Sequence, residues 1–347
     1  MKGLFKDGPG IGLTLKETVE PRPGENDLLV EVKGVAICGS DVQIYNWSDW
    51  CERILQLPVL TGHEFAGEVL EVGEKVKGFE PGDFVSVESR VYCGTCYQCR
   101  TGKRHLCNNL RIIGAHQNGG FARFAVIPEI CAWKMPPDTP LEVACIMDPI
   151  GLAVHAALEE DVSGLSVAVF GCGPVGILAG SAAKAGGAQR VIAASRTPYR
   201  MALAKRMGVD ETIDITTQDP FEAIMDFTDG EGVDFVLDMS GAQTAINTGL
   251  KVLKRGGRFT AFGIPTKPVT VDWTNQIVFK GIKISAIMGR RIWETWYKAV
   301  GLLNTGKLDP TPVVTHRFPL EEYQTAFDIL QSKEKEVGRI LLLPQAA

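Results

Sequence analysis

The chain has 347 residues, 45% of them apolar and 22% charged, and a formal net charge of −5. That length exceeds what one hydrophobic core usually supports and predicts two domains, while the ordinary composition argues against disorder. The acidic balance offers no general attraction to nucleic acid or anionic lipid, the first residues lack an apolar leader, and no uncharged run approaches the ~18 residues of a membrane span, so a cytoplasmic protein without nucleic-acid or membrane partners is expected.

From Leu28 to about Val87 the chain reads as short runs of strand-forming residues, "LLVEVKGVAI", "FAGEVLEVG" and "PGDFVSVES", separated by Gly and Pro. This predicts an all-β domain, a small barrel or sandwich. Within it "ICGSD" carries Cys38 and "TGHEF" carries His63 and Glu64, and Asp148 follows in "CIMDPIG". A thiolate, an imidazole and carboxylates are the ligand types zinc accepts when one coordination position stays open.

Next comes "VYCGTCYQCRTGKRHLC", a lobe at about 90–110, in which Cys93, Cys96, Cys99 and Cys107 follow C-x2-C-x2-C-x7-C. The chain's nine cysteines cannot pair completely, and a reducing compartment keeps them as thiols, which places metal binding ahead of disulfides. Four sulfurs close the zinc tetrahedron, so this site is expected to be structural. An iron–sulfur cluster also takes four thiolates, but its usual spacings differ and the chain has no accompanying electron-transfer motif.

After Pro149, strands alternate with amphipathic helices, which predicts a doubly wound parallel sheet. "VAVFGCGPVGILAG" sets Gly171-x-Gly173-x-x-Gly176 directly behind an apolar strand, with Pro174 and Val175 opening a helix. Such glycines permit a tight turn and let backbone N–H groups approach a dinucleotide pyrophosphate. At the end of the next strand, where an acid normally meets the ribose 2′-hydroxyl of NAD(H), stand Ser195 and Arg196, with Arg200 one turn on. A guanidinium grips a 2′-phosphate that a carboxylate repels, so NADP(H) is expected over NAD(H); the alternative is that Arg196 is an ordinary solvated arginine. The last stretch, "THRFPLEEYQTAFDILQSKEKEVGRILLLP", has one helical pattern and a terminal strand that returns to the first domain.

Together "GHEFAGEVLEVGEKVKGFEPGDFV", the four-cysteine spacing and "GCGPVG" resemble the signatures of the zinc-dependent medium-chain alcohol dehydrogenases across nearly the whole chain. "ICGSDVQIYNWSDW", "PVTVDW", "GRRIWETWYKA" and "THRFPLEEYQTAFD" are similar to the L-threonine 3-dehydrogenase branch, which neighbours the sorbitol and other polyol dehydrogenases. The resemblance implies an α/β protein: a GroES-like β-barrel catalytic domain over 1–150, a Rossmann domain over 151–295, and a segment 296–347 returning to the first. It implies two Zn2+ per chain and hydride transfer between a nicotinamide cofactor and a small secondary alcohol or its ketone, the alcohol being threonine-like, a polyol or a hydroxy acid. A homotetramer, or a homodimer, is the implied assembly. Cys38, His63 and Asp148 would surround the catalytic zinc with Glu64 as an exchangeable ligand, Ser40 would hydrogen-bond the substrate alcohol, and Arg339 would reach the cofactor phosphates.

Four positions depart from the branch. Gln43 replaces a histidine of the usual proton exit, and an amide does not titrate near neutral pH. Arg90 replaces a histidine near the substrate and offers either a fork for a substrate carboxylate or phosphate, or a structural ion pair at the lobe. Arg123 replaces a common glutamate, and Ser195–Arg196 replaces the acidic strand end. Two other readings remain, a zinc-ribbon binding protein and a family member without catalysis; the acidic charge opposes the first, and the retained Cys38, Ser40 and His63 oppose the second.

Overall fold

Alternation of buried and half-buried side chains along Asp27–Ala36 makes this strand the spine of the first structural unit, in a computed structural model that describes residues 1–334 and 336–345. Leu28, Val30 and Val32 face the core while Leu29, Glu31 and Lys33 do not, as the two-residue period of a half-covered strand requires. The unit comprises Met1–Asp148 together with the chain from Val314 on.

Asp27–Ala36 pairs antiparallel with Glu64–Val72, with Phe124–Pro128 and with Arg339–Leu343. Its pairing with Glu64–Val72 shifts register between Leu29 and Val30 and again between Val32 and Gly34, the kind of irregularity that bends a sheet. At Gly67 the two strands leave no room for a side chain: a Cβ there would lie 2.1 Å from the Glu31 carbonyl oxygen. Further strands, Phe84–Val87 and Ala132–Lys134 on one side and Val314–Pro319 on the other, complete a seven-stranded sheet whose core holds Leu28, Phe65, Val69, Phe121 and Phe327.

The second unit, Pro149–Val313, is a six-stranded parallel sheet in the order Glu211–Asp214, Arg190–Ser195, Ser166–Phe170, Val233–Asp238, Leu253–Ala261, Lys283–Ala286. Every residue of Ser166–Phe170 is buried, which explains why this segment reads as an unbroken apolar run. The strand order reverses on the two sides of Ser166–Phe170, and ligands of doubly wound sheets bind at the carboxyl ends of strands at such a reversal.

The α/β class and the two architectures match the expectation from sequence, but one boundary does not. The helix Glu294–Asn304, expected in the returning segment 296–347, belongs to the second unit, and the return begins at Val314, where Val314–Pro319 pairs parallel with Arg339–Leu343. An amphipathic helix advertises that it has an apolar face, not which core that face joins. Among the described residues no helix is long and apolar enough to cross a membrane.

Candidate metal centre and cofactor loop

Strand pairing in the first unit builds the centre. Ala36 at the end of one strand stands opposite Glu64 at the start of the next and beside Leu341 of a third. The chain beyond Ala36 turns into the helix Gly39–Asn46 with Cys38 at its N-cap, while His63 immediately precedes its own strand. Ligand atoms of Cys38, His63 and Glu64 therefore come within 4.8 Å of one another although Cys38 and Glu64 are 26 positions apart in sequence.

Each of the three is held from behind. His63 Nδ1 lies 3.4 Å from Asp41 Oδ1, and the fully buried Asp41 also accepts the Cys38 backbone N–H at 2.8 Å through its other oxygen. With Nδ1 so engaged, Nε2 faces Ser40 Oγ at 3.3 Å and Glu64 Oε1 at 4.0 Å. Such a carboxylate behind the imidazole fixes ring orientation and leaves the opposite nitrogen for a metal. Glu64 Oε2 accepts from Arg339 Nη1 at 2.8 Å, while buried Glu64 Oε1 receives no hydrogen bond. That orphaned oxygen, beside a sulfur and an imidazole, is what a cation would satisfy.

Charge points the same way. Burial would push the Cys38 thiol up, but the hydrogen bond and charge of His63, with Arg339, bring it down to about 6. Burial, reinforced by the charges of Cys38 and Asp148 and opposed by Arg339, holds the Glu64 carboxyl well above its usual range. Burial disfavours the His63 imidazolium, yet Asp41 and Cys38 outweigh it and raise its pKa. A divalent cation would relieve this crowding of anionic donors. Asp148, 3% exposed, belongs to the same surroundings, and its Oδ2 accepts the Ser89 hydroxyl at 2.9 Å.

The four-cysteine lobe forms a second cluster, with the sulfurs of Cys93, Cys96, Cys99 and Cys107 within 4.8 Å of one another and no disulfide. The Cys96 and Cys107 sulfurs stand 3.8 Å apart, far beyond an S–S bond and close to an edge of a tetrahedron with ~2.3 Å metal–sulfur bonds. Cys93 Sγ accepts from Cys96 N at 3.4 Å, Thr95 Oγ1 at 3.6 Å and Asn109 Nδ2 at 3.7 Å. Hydrogen bonds from Thr95 and Cys96 bring its thiol down to about 5. Cys93 N in turn donates to Cys107 Sγ at 3.3 Å. Donors converging on sulfur suit thiolates around a metal.

In the second unit the turn Gly171–Gly173 links Ser166–Phe170 to the helix Pro174–Ala185, with Gly173 as N-cap, Pro174 in its first turn and Val175 next. Gly171 has φ +105°, open only to glycine at low cost, and donates its N–H to the Ala194 carbonyl at 2.9 Å. A Cβ on Gly176 would lie 2.0 Å from the Gly171 carbonyl oxygen, so the helix start packs directly on the turn. Ser195 ends the neighbouring strand, buried, accepting from Thr197 N at 3.4 Å; Arg196 after it is exposed. Burial pushes the Cys172 thiol up to about 11, against a hydrogen bond with Ser195 and the charge of Arg200.

The chain matches the model of the alcohol dehydrogenase GroES-like domain over residues 24–137 and that of the zinc-binding dehydrogenases over 174–305. It is 43% identical to the L-threonine 3-dehydrogenase of Bacillus velezensis over 99% of both chains. The chain belongs to the zinc-binding alcohol dehydrogenase family. Two solved structures superpose over 99% of each chain at 27% identity: one described as a zinc-binding dehydrogenase of Sinorhizobium meliloti 1021 bound to NADP, TM-score 0.91, and one described as a short chain alcohol dehydrogenase of E. coli CFT073 complexed with NADH, TM-score 0.90. This alcohol dehydrogenase is thus an oxidoreductase that uses zinc and a nicotinamide cofactor.

The structure also places three further residues singled out in the sequence. Arg339, expected on cofactor phosphates, is 3% exposed, with Nη1 on Glu64 and on the Ile37 carbonyl at 3.1 Å. Its strand carries it beneath the metal ligands, where it balances a buried carboxylate. Arg90, for which the sequence offered either a substrate fork or a structural ion pair at the lobe, directs Nη1 to the His105 carbonyl of the lobe at 3.4 Å, and its backbone N–H to Glu88 at 3.0 Å. Gln43 is exposed on its helix and accepts a hydrogen bond from the Trp50 indole. Arg123, on the rim of the same domain, pairs with Glu31 at 3.2 Å. Asp41 and Ser89 were not singled out; Asp41 had a local signal, an acid three residues after a helix N-cap, and Ser89 had none.

Proposed function

We propose that this enzyme oxidises a secondary alcohol of the L-threonine class, a hydroxyl vicinal to an amine or a second hydroxyl, with NADP(H) preferred and two zinc ions per chain. The convergence of Cys38, His63 and Glu64, with Asp148 beside them, is the observation that carries the chemistry. The chain-long likeness to an L-threonine 3-dehydrogenase supports the substrate class. The bond from Arg90 Nη1 to the His105 carbonyl supports the structural role at the lobe over a fork for an acidic or phosphorylated substrate.

When bound, zinc supplies Lewis acidity toward the substrate oxygen and the nicotinamide accepts the hydride. The chain's own groups supply position and charge. Asp41 holds the His63 ring, Arg339 offsets the Glu64 charge, and the Ser40 hydroxyl stands beside the ligand set to take the proton leaving the substrate alcohol. Gln43 can orient a water but does not carry that proton onward. The balance is alcohol and oxidised cofactor to ketone, reduced cofactor and one proton. At the cofactor, a strand that runs on as Ser195-Arg196-Thr197-Pro198-Tyr199-Arg200, with no acidic residue in that stretch, supports a 2′-phosphate. Nine cysteines without a disulfide fit a reducing compartment such as the cytoplasm.

Initial rates with L-threonine, 2,3-butanediol, sorbitol, a sugar acid and 2-propanol, each with NADP and with NAD, test this reading. The expected result is highest kcat/KM for L-threonine or the vicinal diol with NADP. Preference for the sugar acid would return the pocket to an anion-binding reading, and preference for L-threonine with NAD would favour the second reading, the activity named for the Bacillus velezensis relative with the other cofactor.

A further inference from the structure

Asp238 ends the strand Val233–Asp238, paired with Phe170 at the end of Ser166–Phe170, and so stands at the reversal of strand order where a dinucleotide crevice opens. Its side chain is 1% exposed. One oxygen, Oδ1, collects three donors from the turn that follows: Ser240 N at 3.1 Å, Ser240 Oγ at 2.9 Å and Gly241 N at 3.1 Å. Ser240 Oγ in turn accepts Ala242 N at 3.1 Å, at the N-cap of the helix Gln243–Val252. Burial raises the Asp238 pKa and these hydrogen bonds oppose it, as they offset the cost of keeping a carboxylate from water.

The turn so gathered lies on the glycine turn. Met239 N donates to the Phe170 carbonyl at 3.0 Å, and a Cβ on Gly171 would lie 3.0 Å from Ser240 Cβ. On the other side the Asp238 carbonyl accepts Phe262 N at 3.1 Å and Gly263 N at 2.8 Å, and a Cβ on Gly263 would lie 2.0 Å from Gly241 N. The turns that follow three adjacent strands, Ser166–Phe170, Val233–Asp238 and Leu253–Ala261, therefore interlock at this one residue.

We infer that Asp238 is a positioning residue for the dinucleotide, its carboxylate holding the turn Met239–Gly241 against Gly171 and so fixing one wall of the crevice. The inference rests on the reading that the glycine turn and the helix behind it take the nicotinamide cofactor. Without the carboxylate, the N–H groups of Ser240 and Gly241 lose their acceptor and the turn shifts to find another. A shift of about 1 Å in a group that positions a ligand costs up to about 100-fold.

The test is NADPH, and separately NADH, titrated into the purified full chain and followed by nicotinamide fluorescence, beside thermal melting of each variant without cofactor. Asp238→Ala is expected to bind both about 10–100-fold more weakly with their ratio unchanged, since the turn lies away from Ser195 and Arg196. Asp238→Asn keeps an oxygen that accepts the same three bonds and should bind within about threefold of wild type. Ser240→Ala removes one of the three donors and should weaken binding about 3–10-fold, which keeps the inference testable if Asp238→Ala does not fold. A lower melting temperature with wild-type affinity in Asp238→Ala or Ser240→Ala, or an Asp238→Asn as weak as Asp238→Ala, overturns the inference. Gly173→Val tests the reading beneath it: Gly173 has φ −65° and a Cβ there meets nothing within 4 Å, so valine fits the fold while filling the space above the turn. This variant should lose NADPH binding at an unchanged melting temperature. If it binds as wild type does, the cofactor is held elsewhere, and that failure is distinct from a failure at Asp238 alone.

Discussion

Replacing Cys38 by alanine is expected to lower kcat by about 10^3-fold or more, since a metal's share of transition-state charge stabilisation is several kcal/mol and about 1.4 kcal/mol is tenfold in rate. The sulfur has no substitute within the cluster: His63 is tied to Asp41, and Glu64 is tied to Arg339. The same variant should bind about one zinc per chain in place of about two, because the lobe of Cys93, Cys96, Cys99 and Cys107 closes its own tetrahedron without Cys38. Metal analysis beside steady-state kinetics checks both. Undiminished turnover would show that the cluster is not catalytic; lost turnover with unchanged zinc would place the metal elsewhere.

The second large effect is expected at the cofactor. In the Ser195→Asp/Arg196→Ala double variant, kcat/KM for NADP should fall about 100-fold, the worth of one or two charge-assisted hydrogen bonds lost and a carboxylate set against a phosphate. The value for NAD should hold or rise, since the new acid can accept from a ribose hydroxyl. The strand Arg190–Ser195 and the glycine turn are not touched, and the Gly171 N–H to Ala194 carbonyl bond stays in place. Saturation kinetics with both cofactors decide it. A wild type that already prefers NAD, or a variant that keeps its NADP preference, would mean that Arg196 is solvated surface and that another group reads the ribose.

What could be read from the sequence was what is local in it. Four cysteines within fifteen positions and a glycine turn between a buried strand and a helix carry their geometry in their spacing. Cys38, His63 and Glu64 were legible as ligand types, but their convergence depends on Ala36 pairing with Glu64, a register set by bulges that no local pattern announces. Arg339 shows why direction is harder than identity. Its charge was plain, but nothing in the sequence announced the buried bond to Glu64 that its strand position gives it. The helix Glu294–Asn304 was legible as a helix and assigned to the wrong core, and the bond from Ser89 to Asp148 links two segments whose sequences say nothing of each other.

The central claim is a zinc held by Cys38 and His63, distinct from the zinc of the lobe. Crystals of the purified enzyme measured on both sides of the zinc absorption edge test it most directly. Two anomalous peaks per chain are expected, one enclosed by the four lobe sulfurs and one bounded by Cys38, His63 and a carboxylate of Glu64 or Asp148. A peak in the lobe alone, with Cys38 and His63 turned apart, would contradict it.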